Sequence, residues 1–501
     1  MTESRVVVVG AGPTGLMLAG ELALAGAEVM VLERRPDHTL VGSRAAGMTP
    51  RTLEVLDQRG IADRFLSEGR IIEVGPGFSG LTMDLRGLPT RHSYVLGLLQ
   101  YRVERILADW ATDLGATIRN DSEIIDIEQD SDSVDVTLAD GTVLRGTYAV
   151  GCDGGRSTVR KSTRIAFPGW EASTNCLVAD VEMTDEPPWG LHRAGGHHSF
   201  HHFDGEDTVR VTVTEPTIGN EAEPTLADLR AALRSVCGTD YGIRRAAWIS
   251  RFTDATRQAE TYRDKRILLA GDAAHIHFPI GGQGLNTGIQ DAVNLGWKLG
   301  QVATGTSAPE LLDTYHTERH PVGARVLHTT MAQTALNAPG ARTDALRDVM
   351  TDLLAMHEPR ARIAATMSGL DIRYDLGDAD PLVGHRIPDL DLNTRDGSTR
   401  LFTLLHQGHG LLLTTGHSPD QDITRSCDRV RAIEIDATQT WCLPTLGEMR
   451  APRAVLVRSD GHIAWTDTST QQLDHAVDRW FGERGQPETS NRTPHPHGSV
   501  S

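Results

Sequence analysis

Residues 5–15 read RVVVVGAGPTG, and this stretch decides how the N-terminal part of the chain folds. The run at 5–9 is apolar and β-branched, as in a buried parallel strand, and residues 16–25 repeat apolar and small side chains at helical spacing. A second strand is predicted over residues 28–32, with Glu33 directly after it. A strand, a G-x-G-x-x-G turn, a helix and an acidic residue about 20 positions downstream are the fingerprint of a βαβ unit that binds a dinucleotide.

The three glycines of this turn have separate physical roles. Gly10 permits the tight turn, Gly12 lets the backbone approach a pyrophosphate, and Gly15 allows the helix to pack closely on the strand. The carboxylate of Glu33 is placed to accept hydrogen bonds from ribose hydroxyls, and it argues against a 2′-phosphate. The adenosine half of the ligand is therefore predicted to belong to FAD or NAD rather than to NADP.

A second glycine-rich turn lies far along the chain. Residues 266–270, RILLA, predict a strand that delivers Gly271 and Asp272 at its end. Residues 279–286, PIGGQGLN, open a helix that is predicted to run through about Gly300. A helix N-terminus has unpaired N–H groups and a partial positive charge, and both favour an anionic group. Two such turns, far apart in sequence, indicate one long cofactor held at both ends.

Size, charge and cysteine usage restrict the class of protein. A chain of 501 residues exceeds the usual single domain, so two or three domains are expected. Lys and Arg number 49 and Asp and Glu 67, and the net charge of −18 disfavours nucleic acid and anionic membranes as partners. No apolar run reaches membrane-spanning length, and no signal peptide is expected, since no basic segment and apolar run come before the first strand. The five cysteines are scattered without a CxxC pair, which argues against structural disulfides or a zinc site and fits a reducing cytoplasm.

The order of predicted elements indicates an α/β protein in which one nucleotide-binding unit is split by an insertion. The insertion alternates apolar and polar residues, which predicts an antiparallel sheet with one face toward a ligand. After it come helices, a linker rich in Asp, Gly and Pro, a small α/β domain and a polar tail that is expected to be disordered. The predicted boundaries are 1–169 with 261–330 for the split unit, 170–260 for the inserted sheet, 331–394 for helices and linker, 395–485 for the small domain and 486–501 for the tail.

Three motifs stand in order: the glycine fingerprint at 10–15, an Asp-Gly corner at 153–154 behind a predicted strand, and the Gly-Asp corner at 271–272. With this set the chain resembles the class A (single-component) FAD-dependent aromatic hydroxylases, the group of p-hydroxybenzoate hydroxylase and phenol hydroxylase, over about residues 1–370. Within it the chain is most similar to hydroxylases of angucycline and anthracycline polyketides. The resemblance implies a Rossmann-like FAD-binding domain of the glutathione reductase type, an inserted antiparallel-sheet domain that binds substrate, and a C-terminal thioredoxin-like domain, here without CxxC.

The resemblance also assigns residues to the cofactor. It places the glycine turn on the pyrophosphate, Asp272 on the ribityl chain, and the start of the late helix on the flavin pyrimidine ring. The residues that would contact FAD are Gly10, Gly12, Pro13, Gly15, Glu33, Arg34, Arg44, Gln100, Arg102, Asp153, Asp272, Pro279, Gly284, Leu285 and Asn286. Those that would lie at the reactive edge are Pro279, Gly281, Gly282 and Arg44.

The expected chemistry likewise follows from the resemblance. NADPH or NADH would reduce FAD, O2 would add to give a flavin C4a-hydroperoxide, and the distal oxygen would pass to a polycyclic aromatic substrate of polyketide type. The family has no separate nicotinamide domain. The helix that begins near Gly284 would stabilise negative charge on the reduced ring through its dipole. The protein is expected to be cytoplasmic, as a monomer or homodimer, with a small-molecule substrate and no bound metal.

Other outcomes remain open from the residues alone. Baeyer–Villiger oxidation, or oxidative inactivation of an aromatic antibiotic such as a rifamycin, would use the same flavin chemistry. A non-catalytic binding protein on this fold has no need for Asp272 and its glycine-rich helix start, and Asp272 itself could simply cap that helix. The segment HHSFHH at 197–202 raises the question of a metal, but on a strand His198 faces one side and His197 the other, so four ligands do not converge. The alternative is that one or two of these histidines line the substrate pocket.

Overall fold

The computed structural model describes residues 5–37, 42, 45–202, 208–219, 222–416, 427–435 and 440–482. Two sequence predictions, the cofactor contact of Arg44 and the disordered tail at 486–501, lie outside these ranges. Within the described ranges, no helix has the length and apolar character that crossing a membrane requires.

The part of the chain before the insertion alternates short strands with helices. Its strands are β1 Arg5–Val9, β2 Glu28–Leu32, β3 Gly47–Met48, β4 Arg70–Ile72, β5 Val74–Pro76, β6 Thr82–Asp84, β7 Val95–Gly97, β8 Thr117–Arg119, β9 Ile124–Gln129, β10 Val134–Leu138, β11 Val143–Gly146, β12 Tyr148–Gly151 and β13 Gly169–Trp170. Its helices are α1 Pro13–Leu24, α2 Pro50–Asp57, α3 Ala62–Leu66, α4 Gln100–Asp113 and α5 Thr158–Ser162.

The middle of the chain holds the insertion and the return to the first unit. The insertion contributes β14 Asn175–Glu182, β15 Gly190–His192, β16 His198–His202, β17 Val209–Thr214, helix α6 Leu226–Cys237, β18 Arg245–Thr253 and β19 Thr256–Gln258. The return contributes β20 Arg263–Asp264, β21 Ile267–Leu269, β22 His275–Ile276 and the helices α7 Gln283–Ala303, α8 Asp313–Asn337, α9 Ala341–Ala355 and α10 His357–Ser368.

The C-terminal part is a small mixed sheet with one flanking helix near its end. Its elements are β23 Asp391–Thr394, β24 Gly397–Arg400, α11 Leu401–Leu404, β25 Gly410–Thr415, β26 Val430–Ile435, β27 Thr440–Leu443, β28 Gly447–Arg450, β29 Ala454–Val457, β30 Ile463–Thr466 and α12 Leu473–Phe481. The larger sheet has the order β24-β23-β26-β25-β29-β30, in which β25 and β26 are parallel and β29 and β30 follow as an antiparallel pair.

The central sheet of the first unit has the order β20-β21-β12-β1-β2-β8. Its five strands other than the edge strand β20 run parallel. β1 is almost wholly buried because its apolar side chains face helices on one side and the rest of the core on the other. β21 and β20 come from the far side of the insertion, so the chain leaves this sheet after β12 and rejoins it later.

Helix α7 crosses helix α1 closely because glycines face the neighbouring helix. A Cβ on Gly288 would lie 2.2 Å from the hydroxyl of Thr14, and one on Gly296 would lie 2.3 Å from Cβ of Glu21. The late glycine-rich helix is therefore held directly against the helix of the N-terminal fingerprint.

The segment between the helices and the C-terminal sheet is more ordered in its packing than its composition suggests. Residues 369–390 contain no named helix or strand, as the Asp, Gly and Pro content predicts, but most of their apolar side chains are buried. Arg386 forms an isolated bridge with His462, and the Gly384 N–H bonds the Ile463 carbonyl at 2.9 Å. Turn-forming residues disfavour a helix or a strand, but they do not require that the segment be exposed to solvent. Here the segment packs against the C-terminal domain.

Candidate active site

The glycine- and aspartate-containing turns follow four neighbouring strands of the central sheet. Along the order β21-β12-β1-β2, the turns begin at Ala270, Cys152, Gly10 and Glu33. Neighbouring strands are about 4.8 Å apart, so the row of turns extends roughly 14 Å along one edge of the sheet. Ligands of open parallel sheets bind at the carboxyl ends of the strands. A row of this length suits an extended ligand such as a dinucleotide.

The first turn has geometry that excludes a side chain at two positions and leaves space at a third. Gly10 has φ +102°, and a Cβ there would lie 2.6 Å from the Cys152 carbonyl oxygen. A Cβ on Gly15 would lie 1.9 Å from the Gly10 carbonyl oxygen. A Cβ on Gly12, the N-cap of α1, would meet no atom within 4 Å, and Pro13 begins the helix. The helix N-terminus therefore faces open space, where its N–H groups suit an anion.

Glu33 is buried at the end of β2. Its carboxylate accepts hydrogen bonds from the Ala11 N–H at 2.8 Å and from the backbone and side chain of Arg35, both at 3.0 Å. Burial works to raise the pKa of Glu33, but the hydrogen bonds from Arg35 outweigh it and leave the pKa below its ordinary value. Arg35 also binds Glu104 at 3.1 Å. Arg34, the residue predicted to contact the cofactor, is exposed. The neighbouring Arg35, and not Arg34, holds the Glu33 carboxylate.

Two further predicted contacts lie at the start of α4. Gln100 donates from Nε2 to Glu104 at 2.8 Å and so joins the cluster around Glu33. Arg102 points differently, because its guanidinium binds the Tyr101 hydroxyl at 3.0 Å and the Glu68 carbonyl at 3.4 Å. The structure therefore brings Gln100, but not Arg102, to the Glu33 cluster.

Asp153 organises the corner after β12. Its Oδ2 accepts the N–H groups of Thr158 at 2.7 Å and Val159 at 3.1 Å, so it caps the short helix α5, while its Oδ1 is buried with no partner among the described residues. The same helix carries Arg160, whose guanidinium donates to the Ala273 carbonyl at 2.8 Å. Arg160 thus links the Asp-Gly corner to the Gly-Asp corner, a connection that no sequence spacing indicates.

Asp272 lies in a single 3-10 turn, Gly271–Ala273, and its side chain is exposed. It does not cap the following helix, because α7 begins at Gln283 with Gly282, φ +64°, as its N-cap and no capping side chain. A Cβ on Gly284 would lie 3.6 Å from Oδ1 of Asp272. The carboxylate and the N-terminus of α7 therefore border the same space.

The first turn of α7 offers N–H groups to that space. The N–H groups of residues 282–285 have no acceptor within the helix. The N–H of Asn286 is directed by helix geometry toward the Gly282 carbonyl. Asn286 contributes through its buried side chain, which accepts the Thr49 N–H at 2.8 Å and donates to the carbonyls of Gly47 at 3.0 Å and Gly282 at 2.7 Å. It ties the strand at Gly47 to the glycine loop.

The loop before α7 presents little side-chain bulk. Pro279, Gly281 and Gly282 are exposed. Gly281 has φ +71°, and a Cβ there would lie 2.8 Å from Cε of Met367, whereas a Cβ on Gly282 would meet no atom within 4 Å. The loop therefore packs on the helical layer at one glycine and opens to free space at the next.

Asp291 is a supporting residue that the sequence reasoning missed. It is fully buried in α7, and its Oδ2 accepts the Gly271 N–H at 3.2 Å and binds His275 Nε2 at 2.8 Å. Its Oδ1 accepts from Arg319 at 2.7 Å. Burial works to raise the pKa of Asp291, but the charges of Arg319 and His275 outweigh it and keep the pKa low. The available signal was that Asp291 is the one acidic residue of α7.

The histidine-rich segment forms strand β16 of the inserted sheet. Within the described ranges, no group of three or more His, Cys, Asp or Glu side chains is arranged to hold a metal. His198 is buried beside Phe200, and His202 is exposed and stacked on Trp189 at a ring-centroid distance of 3.8 Å. His197 lies near Phe278, with 6.2 Å between ring centroids, and so near the glycine loop.

Taken together, the turns can hold a long anionic cofactor. Open space lies over two glycines at two helix N-termini, Gly12 on α1 and Gly282 on α7, and both ends of the row carry a carboxylate, Glu33 and Asp272. The N–H groups suit a diphosphate at one end and a ring that gains negative charge at the other, and the carboxylates suit hydroxyl groups. These are the chemical requirements of FAD.

Two family descriptions cover most of the chain. Residues 3–330 match the family described as an FAD binding domain, and residues 380–484 match the family described as aromatic-ring hydroxylase, C-terminal. The two matches agree with the split between the first unit and the C-terminal sheet.

Similar proteins include monooxygenases from Streptomyces. The 12-dehydrotetracycline 5-monooxygenase/anhydrotetracycline 6-monooxygenase of Streptomyces rimosus is 43% identical, covering 95% of this chain and 98% of the relative. The rifampicin monooxygenase of Streptomyces venezuelae is also 43% identical, with the same coverage of 95% and 98%. The solved structure of the OxyS anhydrotetracycline hydroxylase from Streptomyces rimosus matches with a TM-score of 0.88 at 43% identity, covering 96% of this chain and 100% of that one. The chain therefore belongs to the class A FAD-dependent aromatic hydroxylases, and it is an FAD-binding monooxygenase.

Proposed function

We propose that the protein uses NAD(P)H and O2 to hydroxylate a polycyclic aromatic substrate of polyketide type. The observation that carries this proposal is the 43% identity, over 95% of the chain, to a monooxygenase of anhydrotetracycline, a fused-ring aromatic compound. The inserted sheet supports it, because Phe252 lies 5.6 Å from Phe278 between ring centroids and brings an aromatic wall to the glycine loop. Aromatic walls of this kind suit a flat, fused-ring ligand.

The domain division proposed with this function keeps the boundaries drawn from the sequence. Residues 1–169 and 261–330 bind FAD, residues 170–260 bind substrate, and residues 395–485 form a thioredoxin-like domain without CxxC. The sheet order β24-β23-β26-β25-β29-β30 supports the last assignment, since two parallel strands followed by an antiparallel pair are characteristic of that fold. No dithiol chemistry is proposed there. The domain contributes packing against the helices of the first unit.

Each element of the site has a proposed role toward bound FAD. The chemistry that FAD supplies when bound is electron transfer from NAD(P)H and activation of O2. The N–H groups at residues 282–285 and the dipole of α7 stabilise negative charge on the ring edge nearest to them, by about 0.3–2 kcal/mol from the dipole alone. Asp272 accepts hydrogen bonds from ribityl hydroxyls and Glu33 from the adenosine ribose. Gly281 and Gly282 leave room for the substrate ring, and Pro279 helps to exclude water.

Substrate-stimulated oxidation of NADPH tests the proposed function. The purified protein is expected to be yellow, and oxygen uptake with NADPH is expected to rise when anhydrotetracycline, an angucycline or rifampicin is added. The product is expected to gain one oxygen atom by mass spectrometry, with its ring count unchanged. Parallel assays with NADH identify the preferred co-substrate. A protein that cannot be reconstituted with FAD, or that oxidises NADPH at the same rate with every compound, contradicts the proposal.

Oxidative inactivation of a rifamycin is a second candidate, favoured by the equal 43% identity to the rifampicin monooxygenase. The same assay separates the two. Conversion of rifampicin with loss of antibacterial activity, and no conversion of the tetracyclic compounds, would assign the protein to antibiotic inactivation rather than to polyketide hydroxylation.

Asp272→Ala is expected to weaken FAD binding by roughly 10- to 100-fold, since one hydrogen bond to a charged group contributes about 1.5–3 kcal/mol. The variant should fold normally because the side chain is exposed. Fluorescence titration of the apoprotein with FAD measures the dissociation constant. Asp109→Ala, which removes an exposed carboxylate elsewhere on the protein, is the matched control and should bind FAD like the wild type. Equal affinity in both variants would remove Asp272 from the cofactor site.

A further inference from the structure

The inserted sheet presents one face to the glycine loop, and its register defines what lies on that face. Alternate residues of a strand point to the same side, so the pairing of β18, β14, β17 and β16 sorts the side chains into rows across the sheet. The first row is Phe252, Cys176, Thr214 and His197; the second is Ser250, Val178, Thr212 and Ser199; the third is Trp248, Asp180, Arg210 and His201.

Contacts of the first and third rows show that this face of the sheet is turned toward the proposed cofactor site. In the first row, the rings of Phe252 and His197 lie 5.6 and 6.2 Å from that of Phe278, the residue before the exposed loop. In the third row, Trp248 lies against Gly42, where a Cβ would come within 2.0 Å of the indole. The opposite face of the sheet packs on α6 through residues such as Phe200 and is closed to ligands.

The middle row has short side chains, and on the two outer strands aromatic rings stand on both sides of it. Its members are Ser250, Val178, Thr212 and Ser199. The flanking rings are Phe252 and Trp248 on β18 and His197 and His201 on β16. Four residues separate the outer rows along each strand, which is about 13 Å between backbones. A slot of this kind accepts the edge of a fused-ring system, with the aromatic side chains of both rows along its sides. Asp180 and Arg210 form a bidentate ion pair at 2.8 and 2.9 Å, so their charges cancel within the third row.

His197 supplies a directed polar group at the side of this slot. Its backbone carbonyl is fixed by two hydrogen bonds from Thr214, at 3.0 Å from the N–H and 2.9 Å from the hydroxyl. Burial lowers the pKa of His197 to about 4, with smaller effects in the same direction from His198 and Arg193, so the ring is neutral at pH 7. Nδ1 is buried with no partner in the described part of the chain, while Nε2 is not enclosed in this way. Because a buried N–H without an acceptor is costly, the single proton belongs on Nε2.

We propose that His197 is a substrate-binding residue that donates a hydrogen bond from Nε2 to a ring oxygen, a carbonyl or a phenolate, of the aromatic substrate, and thereby orients that substrate in the slot between Phe252 and Trp248. The proposal rests on the proposed function and adds to it that the substrate has an oxygen atom on the part of the ring system that enters the inserted sheet. The residue acts on binding and orientation, and it takes no part in holding FAD.

Two variants of His197 test the assignment in the FAD-loaded enzyme. His197→Phe keeps the ring and removes the donor, and His197→Gln keeps a donor near the position of Nε2. Perturbation of the flavin absorbance by anhydrotetracycline, by rifampicin and by an angucycline reports binding, and NADPH oxidation reports turnover. For the compound that binds wild-type protein, His197→Phe is expected to raise the dissociation constant and KM roughly 3- to 15-fold, as for loss of one hydrogen bond. His197→Gln should recover part of this loss, and both variants should keep the wild-type FAD content.

His202→Phe is the matched control, because that exposed ring stacks on Trp189 on the other side of the same strand. It should bind substrate like the wild type. Wild-type affinity in His197→Phe overturns the proposal, and so does an equal loss in His197→Phe and His197→Gln, which indicates a purely structural role. Binding is measured separately from turnover, so a wild-type enzyme that binds a compound without oxidising NADPH refutes the proposed function while the His197 variants still test the contact.

Discussion

Gly12→Ala is expected to lower the affinity for FAD at least about 100-fold while leaving the apoprotein as stable as the wild type. Gly12 has φ −76° and ψ 178°, a conformation that alanine adopts freely, and the new methyl group meets no atom within 4 Å. The methyl group fills the space through which a diphosphate approaches the N-terminus of α1. Close packing against it costs about 1–3 kcal/mol, and a lost charge-assisted hydrogen bond adds about 1.5–3 kcal/mol. The sum corresponds to two or more powers of ten in affinity.

The chain offers a closely matched control for this substitution. Gly87 is also a glycine around which a Cβ meets no atom within 4 Å, and it lies on an exposed turn. Gly87→Ala should retain both apoprotein stability and FAD affinity. Thermal unfolding of the two apoproteins and fluorescence titration with FAD provide the comparison. If Gly12→Ala binds FAD as tightly as Gly87→Ala does, the diphosphate does not lie over this turn.

The same turn indicates why so much of this fold can be predicted from the sequence. Strand, glycine turn and helix are contiguous, and local sterics decide them: Gly10 and Gly15 have no room for a side chain, and a buried parallel strand must be apolar. The predicted helix at the late glycine cluster, expected through about Gly300, runs over Gln283–Ala303. The strands predicted at 5–9 and 28–32 are β1 and β2, and the strand predicted at 266–270 is β21 Ile267–Leu269. The helix predicted at 16–25 is α1 Pro13–Leu24, whose start lies three residues earlier.

Contacts between distant segments could not be predicted in this way. Arg35 rather than Arg34 holds Glu33, and only the direction in which each side chain leaves the strand end distinguishes the two. Arg160 joins the two aspartate corners over 113 residues of sequence, and the side chain of Asn286 reaches Thr49 over 237. No periodicity or local propensity encodes such pairs. They arise from the strand order, which sequence patterns leave undetermined.

The C-terminal domain is attached to the first unit by a buried group of charges. Arg458 is fully buried and donates to both carboxylate oxygens of Glu318 at 2.8 Å and to Asp460. Lys298 of α7 approaches the same Glu318 carboxylate at 2.9 Å, and the Arg458 guanidinium lies 4.6 Å from the ring centroid of Trp480. Two cations and two carboxylates thus balance, and they join α7, α8 and the C-terminal sheet. Removing one member of such a group leaves an opposite charge buried without its partner. This destabilises the folded protein even where the net contribution of the intact group to stability is small.

Arg458→Met is expected to destabilise the protein by about 3–5 kcal/mol, because it leaves Asp460 buried without its cation. For a chain of this size, this corresponds to a decrease in Tm of roughly 3–5 °C. Arg453→Met removes an arginine of the same domain whose side chain is 80% exposed beside Asp467, and it should change Tm very little. Thermal unfolding followed by circular dichroism, at several pH values, measures both variants.

The pH dependence separates an electrostatic cause from loss of packing. Burial works to raise the pKa of Glu318, but the charges of Arg458 and Lys298 outweigh it and lower the pKa from 4.5 to about 2. This carboxylate therefore contributes stability above pH 4.5, and the contribution is lost as the pH falls from 4.5 toward 2. In Arg458→Met the pKa returns toward its ordinary value and this dependence weakens, so the difference in Tm from the wild type should shrink across that window. A difference that stays constant down to pH 2 would mean that Arg458 stabilises the domain contact through its packing on Trp480 and not through its charge.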